Sequence, residues 1–285
     1  MVNTGEDLME SFNKGLDVYL TKEQVREMCP VAFETTPTNP NVSDKYLHVN
    51  TEVIIDDLAK LGWIPVTAKM RKPSKKETIF SKHMVTFQNK DIKISSPDGD
   101  DAFPRIILTN SHDGLQAFKF SVGIFRMVCS NGLVVADEKY ADFKIRHKGY
   151  TFEELRGVIS AAVADLPSKV RIMNDMKNRF LTEEEREEMA LQALLIRVGI
   201  KPEDRKGKKA AYDRETILDI LEPTRPMDQG VSLWKVFNVI QEKMIKGDFG
   251  FALEGKKVRK MRKITSFEKD MEVNKKLFKL ATDLI

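Results

Sequence analysis

Three groups of lysine and arginine residues are suited to one chemical task, the binding of phosphate. The first lies at a predicted hairpin tip and the second at the end of a predicted strand. The third lies near the C-terminus, where six of the eight residues 256–263 are basic. Each phosphate that such cations neutralise releases counterions, so the pattern is typical of a protein that follows a nucleic-acid backbone. The candidate nucleic-acid-binding residues are Arg71, Lys72, Lys75, Lys76, Lys82, Arg126, Lys144, Arg146, Lys148, Lys256, Lys257, Arg259 and Lys260.

Aromatic residues accompany these groups in the sequence and add a second mode of binding. Stacking of a base on an aromatic ring contributes about 1–3 kcal/mol and tolerates any base. Cations interleaved with aromatic rings therefore indicate a protein that binds single-stranded DNA without sequence preference. The competing interpretation is that the lysines solvate the surface and the aromatic side chains fill the core. The aromatic residues concerned are Phe80, Phe143, Tyr150 and Phe251.

Other chemistries have little support in the sequence. Three histidines and a carboxylate stand on separate predicted elements, and none of them has the spacing of a metal-ligand pair. The acidic run at residues 98–101 lacks the later glutamate of an EF-hand loop. Neither a phosphate-binding loop nor a dinucleotide-binding glycine pattern is present. We therefore predict no metal, no cofactor and no catalytic residue, and favour a binding protein over an enzyme. The three histidines and the carboxylate considered as metal ligands are His83, His112, His147 and Asp113.

Composition and charge limit the class of protein. The chain has 285 residues, of which 41% are hydrophobic, so a substantial core can form. Residues 1–60 carry 5 Lys/Arg and 11 Asp/Glu, a net charge of −6 that leaves +10 for the rest of the chain. No apolar run is long enough to span a membrane, and the first residues do not form a secretory signal. Two distant cysteines, Cys29 and Cys129, fit a reducing cytoplasm.

The elements that must position the cations begin with a β-rich region. Residues 104–137 alternate short apolar runs with turns at 110–114 and 130–132, which predicts a three-stranded antiparallel meander. Two strands are expected before it, over Trp63–Met70 and 80–88, and Pro65 places the first at a sheet edge. Another strand is expected over 140–149. A helix over 51–61, capped by Thr51, leads this region.

From Thr151 onward the hydrophobic period becomes helical. A helix that starts there should be split by Pro167, and a capping box at Thr182 should start another that ends at Gly199. Further helices are expected over 231–246 and after Ser266. The predicted fold class is α+β, an antiparallel β-meander core with a leading helix and a helical C-terminal half. The predicted regions are an acidic leader or arm at 1–50, a β-rich core at 51–150 and a helical region packed on that core at 151–285.

Several stretches of the sequence resemble one known family. They are NSHDG, AFKF, GIFRMVCSNGLVV and IRHKG in the β-rich region, LWKVFNVIQE at 233–242 and the basic segment that ends at Ser266. Together they resemble the phage/plasmid-like family of unknown function, whose members occur in prophages, phages and conjugative plasmids. The resemblance runs from about Asn50 to the C-terminus. It implies a mobile-element context, the cytoplasm of a bacterial host and a role in DNA transactions, and it transfers no catalytic residue.

The preferred hypothesis is a mobile-element protein that binds single-stranded DNA in a basic groove on the β-rich core and promotes annealing or protects the strand. Self-association through the apolar C-terminal helices would make it a homo-oligomer. One alternative is a protein-interaction module that inhibits a host defence system, with the acidic leader as a decoy for DNA. A second alternative is a metal-dependent nuclease around His112 and Asp113. No membrane partner is expected.

Overall fold

The structure of the chain, a computed structural model, forms two compact units. One comprises Met1–Gly132 with Ala136–Leu166, and the other Leu133–Val135 with Pro167–Ile285. The residues that the structure describes are 19–35, 48–71, 80–95, 101–112, 118–126, 132–133, 144–145, 151–199, 214–247, 249–251 and 258–285.

The first unit is built on a six-stranded sheet in the order β1-β2-β3-β4-β5, with β6 also paired to β4. The pairs β1–β2, β2–β3, β3–β4 and β4–β6 are antiparallel, which confirms the predicted antiparallel core. The strands are β1 Trp63–Met70, β2 His83–Asn89, β3 Ala102–Asn110, β4 Phe118–Arg126, β5 Gly132–Leu133 and β6 Lys144–Ile145.

Alternation of side chains divides the sheet into an apolar face and a polar face. Ala68, Val85, Leu108 and Phe120 are register partners across four strands, and all four are buried in the hydrophobic core of this unit. The strand β1 lies at one end of the strand order, so the edge position predicted from Pro65 is confirmed. The register of β1 with β2 shifts just after Pro65, as a β-bulge would produce.

Helices pack against the apolar face of the sheet. Three helices and one 3₁₀ turn contribute apolar residues to the same core as the strands. The sequence predicts that Thr51 caps the second helix, but its N-cap is Asn50, whose side chain accepts a hydrogen bond from the backbone of Glu52. The helix ends at Lys60, close to the predicted residue 61, and Gly62 follows at a positive φ of 82°. The elements are α1 Lys22–Met28, the 3₁₀ turn Pro30–Phe33, α2 Thr51–Lys60 and α3 Phe152–Ala164.

The described part of the N-terminal segment belongs to the core of the first unit. Val25, Val31 and Phe33 are buried there, and the backbone N–H of Leu20 donates to the carbonyl of Pro65 at 2.8 Å. The charge of residues 1–50 predicts an acidic arm there, whereas the described residues 19–35 of this stretch lie against strand β1 and helix α2. This acidic stretch packs on the first unit because its few apolar side chains face the core of that unit.

The second unit is helical, as predicted. Pro167 lies in the first turn of a new helix after α3 has ended, so the predicted split is confirmed. Thr182 forms the predicted capping box, and Gly199 ends that helix at a φ of 80°. The helix expected from residue 231 begins at Leu233, because Ser232 caps it. The elements are α4 Leu166–Asn178, α5 Glu183–Val198, α6 Arg214–Leu221, the 3₁₀ turn Pro226–Asp228, α7 Leu233–Lys246, β7 Gly250–Phe251, β8 Arg259–Lys260 and α8 Phe267–Thr282.

The chain is therefore α+β, with an antiparallel sheet, a leading helix and a helical C-terminal half. Some sequence predictions fall wholly or mostly outside the described residues: the turns at 110–114 and 130–132, Cys129 and most of the strand expected over 140–149. None of the helices in the described part of the chain has the length and apolar character that crossing a bilayer requires.

Candidate nucleic-acid interface

A single cross-strand row carries three lysines across the sheet of the first unit. Lys69 is the register partner of Met84, Met84 of Thr109, Thr109 of Lys119, and Lys119 of Lys144. Residues directly opposite each other in antiparallel strands lie on the same face of a sheet. Lys69 and Lys119 therefore share the polar face, with Lys144 at the next register position beside Lys119. Neighbouring strands about 4.8 Å apart place Lys69 and Lys119 about 14 Å from each other.

Two more cations lie beside this row, where the chain leaves β1 and enters β2. The backbone N–H of Arg71 donates to the carbonyl of Lys82 at 2.8 Å, so the two residues continue the β1–β2 ladder by one step. Arg71 follows Lys69 by two residues, which is the period of one strand face. Lys69 and Arg71 are exposed, and Lys82 and Lys119 are half-buried. We call Lys69, Arg71, Lys82, Lys119 and Lys144 the sheet-end cations.

The strands around these residues contribute positive charge only. The sequences of β1 to β4 contain no Asp or Glu, while they include Lys69, Arg105, Lys119 and Arg126. Arg105 is buried further along the sheet, where its Nε donates to Oε1 of Gln88 at 2.6 Å. Like charge gathered on one sheet attracts anions and disfavours compaction. An anionic ligand at the exposed end of the sheet would relieve that repulsion.

Three of the four residues in the row after the lysines are closed to solvent, and the fourth, Thr67 of β1, is half-buried. Thr86, Ile107 and Ser121 are register partners there, and each is buried. The accessible part of the polar face is thus its end, at Lys69, Arg71 and the half-buried Met84 and Lys82. Phe80, also half-buried, is the described aromatic residue next to this end. Two further predicted aromatic residues, Phe143 and Tyr150, lie outside the described residues, and Phe251 is in β7 of the second unit.

The predicted basic residues fall into four groups. Arg71, Lys82 and Lys144 belong to the sheet-end cations. Arg126 lies seven residues along β4 from Lys119, about 23 Å away at the spacing of a strand, and is not part of that group. Arg259 and Lys260 form β8 in the second unit, and both are exposed. Outside the described residues lie Lys72, Lys75, Lys76, Arg146, Lys148, Lys256 and Lys257.

Sequence reasoning missed Lys69 and Lys119, which stand singly in their strands and form no run of charge. The signal that could have found them is their position in the alternation. Lys69 precedes Arg71 by one strand period, and Lys119 stands between Phe118 and the core residue Phe120 of β4. Their convergence depends on the pairing register, which the sequence alone does not supply.

A second polar group of the first unit is a cluster of three histidines. The rings of His48 and His112 have centroids 4.4 Å apart, and those of His83 and His112 are 5.0 Å apart. Nε2 of His48 lies 2.9 Å from the carbonyl oxygen of Glu34, and Nε2 of His112 lies 3.0 Å from that of Val31. A carbonyl can only accept, so both Nε2 atoms carry hydrogen. The two imidazoles hold the N-terminal segment to the residues that precede α2 and that follow β3.

The hydrogen bonds of His83 define its tautomer. Its Nδ1 lies 3.1 Å from the carbonyl of Ser81 and must donate, so Nε2 accepts from the hydroxyl of Thr51 at 2.8 Å. The hydroxyl of Thr51 in turn accepts from Nδ2 of Asn110 at 3.0 Å. Burial lowers the pKa of His83 to about 4. His83 is therefore a neutral structural histidine at physiological pH.

These surroundings give the nuclease hypothesis no support. His112 is fully buried against the N-terminal segment, where a phosphodiester cannot reach it, while Asp113 and His147 lie outside the described residues. Within the described ranges no three His, Cys, Asp or Glu side chains are arranged to hold a metal ion. Burial also raises the pKa of the Cys29 thiol to about 12, which keeps it protonated and unreactive at neutral pH.

Comparison with known proteins identifies a family whose function is unknown. The model of the family described as "Domain of unknown function (DUF932)" matches residues 40–278. Two relatives from Escherichia coli (strain K12) are similar over nearly the whole chain. UPF0380 protein YafZ is 29% identical over 276 residues, covering 93% of this chain and 92% of the relative. UPF0380 protein YfjQ is 29% identical over 273 residues, with the same coverage. No solved structure matches the chain.

Proposed function

This chain belongs to the DUF932 family of unknown function, and we propose that it binds single-stranded DNA through the sheet-end cations of its first unit. The observation that carries the proposal is the row of cations at the exposed end of a sheet face whose strands β1 to β4 contain no Asp or Glu. Phosphate contacts of this kind supply most of the affinity in non-specific binding.

The distances and neighbours support a strand rather than a single phosphate ion. Lys69 and Lys119 are about 14 Å apart, a span that several phosphates of one strand would fill. The half-buried Phe80 and Met84 offer apolar contact to unpaired bases beside the cations. A duplex hides its bases, so such contact favours single strands.

We propose further that this binding serves the annealing or protection of mobile DNA in the cytoplasm of a bacterial host. The likeness of the sequence to phage and plasmid proteins supports that setting. The interaction-module alternative remains as an outcome of the experiment: a wild-type protein that shows no salt-sensitive binding of DNA would favour it.

The test compares two variants of equal charge in a salt titration with a labelled single-stranded oligonucleotide. The first is Lys69→Gln/Lys119→Gln. The second, a matched control at the other end of the same sheet, is Lys90→Gln/Lys93→Gln. Each lost phosphate contact reduces the slope of log K against log salt by about 0.7 for single strands. We expect the first variant to lose about 1.4 from the slope and the control to keep it.

Thermal unfolding shows whether both variants fold. If Lys69→Gln/Lys119→Gln unfolds, the single variant Lys69→Gln replaces it, because Lys69 is exposed, and it should lose about 0.7 from the slope. Equal slopes for the wild type, the first variant and the control would overturn the proposal. A single strand bound no better than a duplex of equal length would overturn the preference for unpaired bases.

A further inference from the structure

The segment that contains β8 is held to the end of helix α7 by its backbone. The N–H of Met261 donates to the carbonyl of Phe249 at 2.8 Å, and the N–H of Ile264 donates to that of Ile245 at 2.9 Å. The contact at Gly247 is so close that a Cβ atom there would lie 2.6 Å from the carbonyl oxygen of Met261. Main-chain contacts therefore fix the course of the segment.

Arg197, at the end of α5, adds a third anchor. Its Nε donates to the carbonyl of Met244 at 2.8 Å, and its Nη2 donates to the carbonyl of Arg262 at 2.6 Å. One guanidinium thus joins the ends of α5 and α7 to the middle of the segment. The fork geometry of arginine allows both bonds at once, so the segment is ordered before any ligand arrives.

The side chains of this segment are sorted by burial. Met261 and Ile264 are buried, while the four cations around them are exposed. No Asp or Glu occurs in the sequence from 255 to 267, and the next carboxylate, Glu268, accepts a hydrogen bond from the hydroxyl of Ser266 at 2.8 Å. We call Arg259, Lys260, Arg262 and Lys263 the cationic strip.

We propose that the cationic strip is a second nucleic-acid site, which holds a phosphodiester backbone by charge alone and works separately from the sheet-end cations. This inference rests on the proposed function. The strip lies in the second unit and has its own anchors there.

The length and chemistry of the strip indicate its ligand. At about 3.3 Å per extended residue the strip spans about 13 Å, close to four phosphates of one B-DNA strand at 3.4 Å each. The residues from 258 to 266 include no aromatic side chain that could stack on a base. The strip should therefore contact single and double strands equally, whereas the sheet-end cations should prefer single strands.

The experiment removes four charges from the strip and four from elsewhere in the same unit. The strip variant is Arg259→Gln/Lys260→Gln/Arg262→Gln/Lys263→Gln, which leaves the anchoring carbonyl of Arg262 in place. The control is Lys269→Gln/Lys275→Gln/Lys276→Gln/Lys279→Gln on helix α8. Both are titrated with salt against a labelled duplex and against a single strand of the same length.

We expect the strip variant to lose the same contacts to both ligands, with the salt slope falling by about 3–4 for the duplex, at about 0.9 for each phosphate. The control should keep the wild-type slope. Equal losses in both variants would mean that only net charge matters, and the strip would be overturned. An unchanged slope in the strip variant would overturn it too.

Failure of the strip and failure of the sheet-end site are distinguishable. If Lys69→Gln/Lys119→Gln weakens binding and the strip variant does not, only the present inference fails. If the strip variant weakens binding and the sheet variant does not, the proposed site in the first unit fails. Heparin serves as a competitor at the same concentration of negative charge as unlabelled oligonucleotide. If heparin displaces the labelled oligonucleotide from the strip as well as the unlabelled oligonucleotide does, the strip is a general polyanion site and the nucleic-acid assignment is overturned.

Discussion

At the residue scale, the hydroxyl of Thr51 joins helix α2 to the sheet. It accepts from Asn110 and donates to His83, so one side chain satisfies two buried partners on β3 and β2. Buried polar groups left without partners cost more than a hydrogen bond contributes. The stability of the first unit therefore depends on the neutral form of His83.

Acidification should weaken the folded state through His83. The pKa of His83 falls from the usual 6.5 to about 4 on folding. Between pH 6.5 and pH 4, His83 is therefore protonated in the unfolded chain and neutral in the folded chain. The stabilisation is complete above pH 6.5, declines as the pH falls to about 4 and amounts to about 3 kcal/mol.

Urea unfolding of the wild type and His83→Gln from pH 7 to pH 4 measures this effect. The difference in unfolding free energy between the two proteins should shrink by about 3 kcal/mol across that range. A difference that stays constant with pH would show that His83 does not titrate in this way.

Thr51→Val should destabilise the first unit by about 1–3 kcal/mol, because it leaves Nε2 of His83 and Nδ2 of Asn110 with one partner fewer. Asn50→Ala, which removes only the cap of α2, should cost about 1 kcal/mol. Urea unfolding at pH 7 measures both. If Asn50→Ala costs as much as Thr51→Val, the cap and not the buried network is the main contribution.

At the element scale, the main-chain course of the second unit depends on one glycine. Gly247 has a φ of 71° and a ψ of −135°, a combination that residues with a Cβ rarely adopt, and the strip passes directly against it. The end of α7 and the start of the strip can approach each other only because a side chain is absent there.

Gly247→Ala should therefore destabilise the second unit more than Gly199→Ala. Both glycines have positive φ, so each substitution introduces about 1–2 kcal/mol of backbone strain. A Cβ at Gly199 would meet no atom within 4 Å, whereas at Gly247 it would displace the backbone of Met261. Urea unfolding measures the difference, and equal costs would contradict the close approach.

Local signals explain which elements the sequence predicted well. Thr182, Gly199 and Ser266 act within a few residues of their own position, so their patterns indicated helix ends that the structure confirms. Pro65 likewise marked an edge strand by its missing N–H. Thr51 has the right type for a cap, yet its hydroxyl bonds residues 32 and 59 positions away. No local pattern contains that information.

The candidate site was predictable only in part for the same reason. Runs of charge such as 256–263 are visible in the sequence, and four cations of that run, Arg259, Lys260, Arg262 and Lys263, form the strip. Lys69 and Lys119 reach one row because β2 and β3 lie between them in a particular register. A shift of one residue in either pairing would place one lysine on the opposite face.

At the scale of the whole molecule, the two compact units each carry a cationic site. A ligand that engages both sites gains from the high effective concentration of the second site once the first is occupied. Affinity should then depend on the length of the nucleic acid as well as on its charge.

The dissociation constant should fall steeply with oligonucleotide length in the wild type and less steeply in the strip variant. Short oligonucleotides occupy one site at a time, so removing the other changes their affinity little. Fluorescence anisotropy over a series of single strands at constant salt measures this dependence. Parallel curves for the wild type and the strip variant would exclude joint use of the two sites.

The packing of residues 19–35 on the sheet has a practical consequence for anyone who trims this protein. The family match begins at residue 40. A fragment that starts there would lack Val25, Val31 and Phe33 and would expose the apolar surface that they cover. It would also uncover the carbonyl of Pro65 on an outer strand, which invites pairing between molecules. We expect such a fragment to precipitate or elute as large species in size-exclusion chromatography, while a chain that keeps residue 19 onward elutes normally.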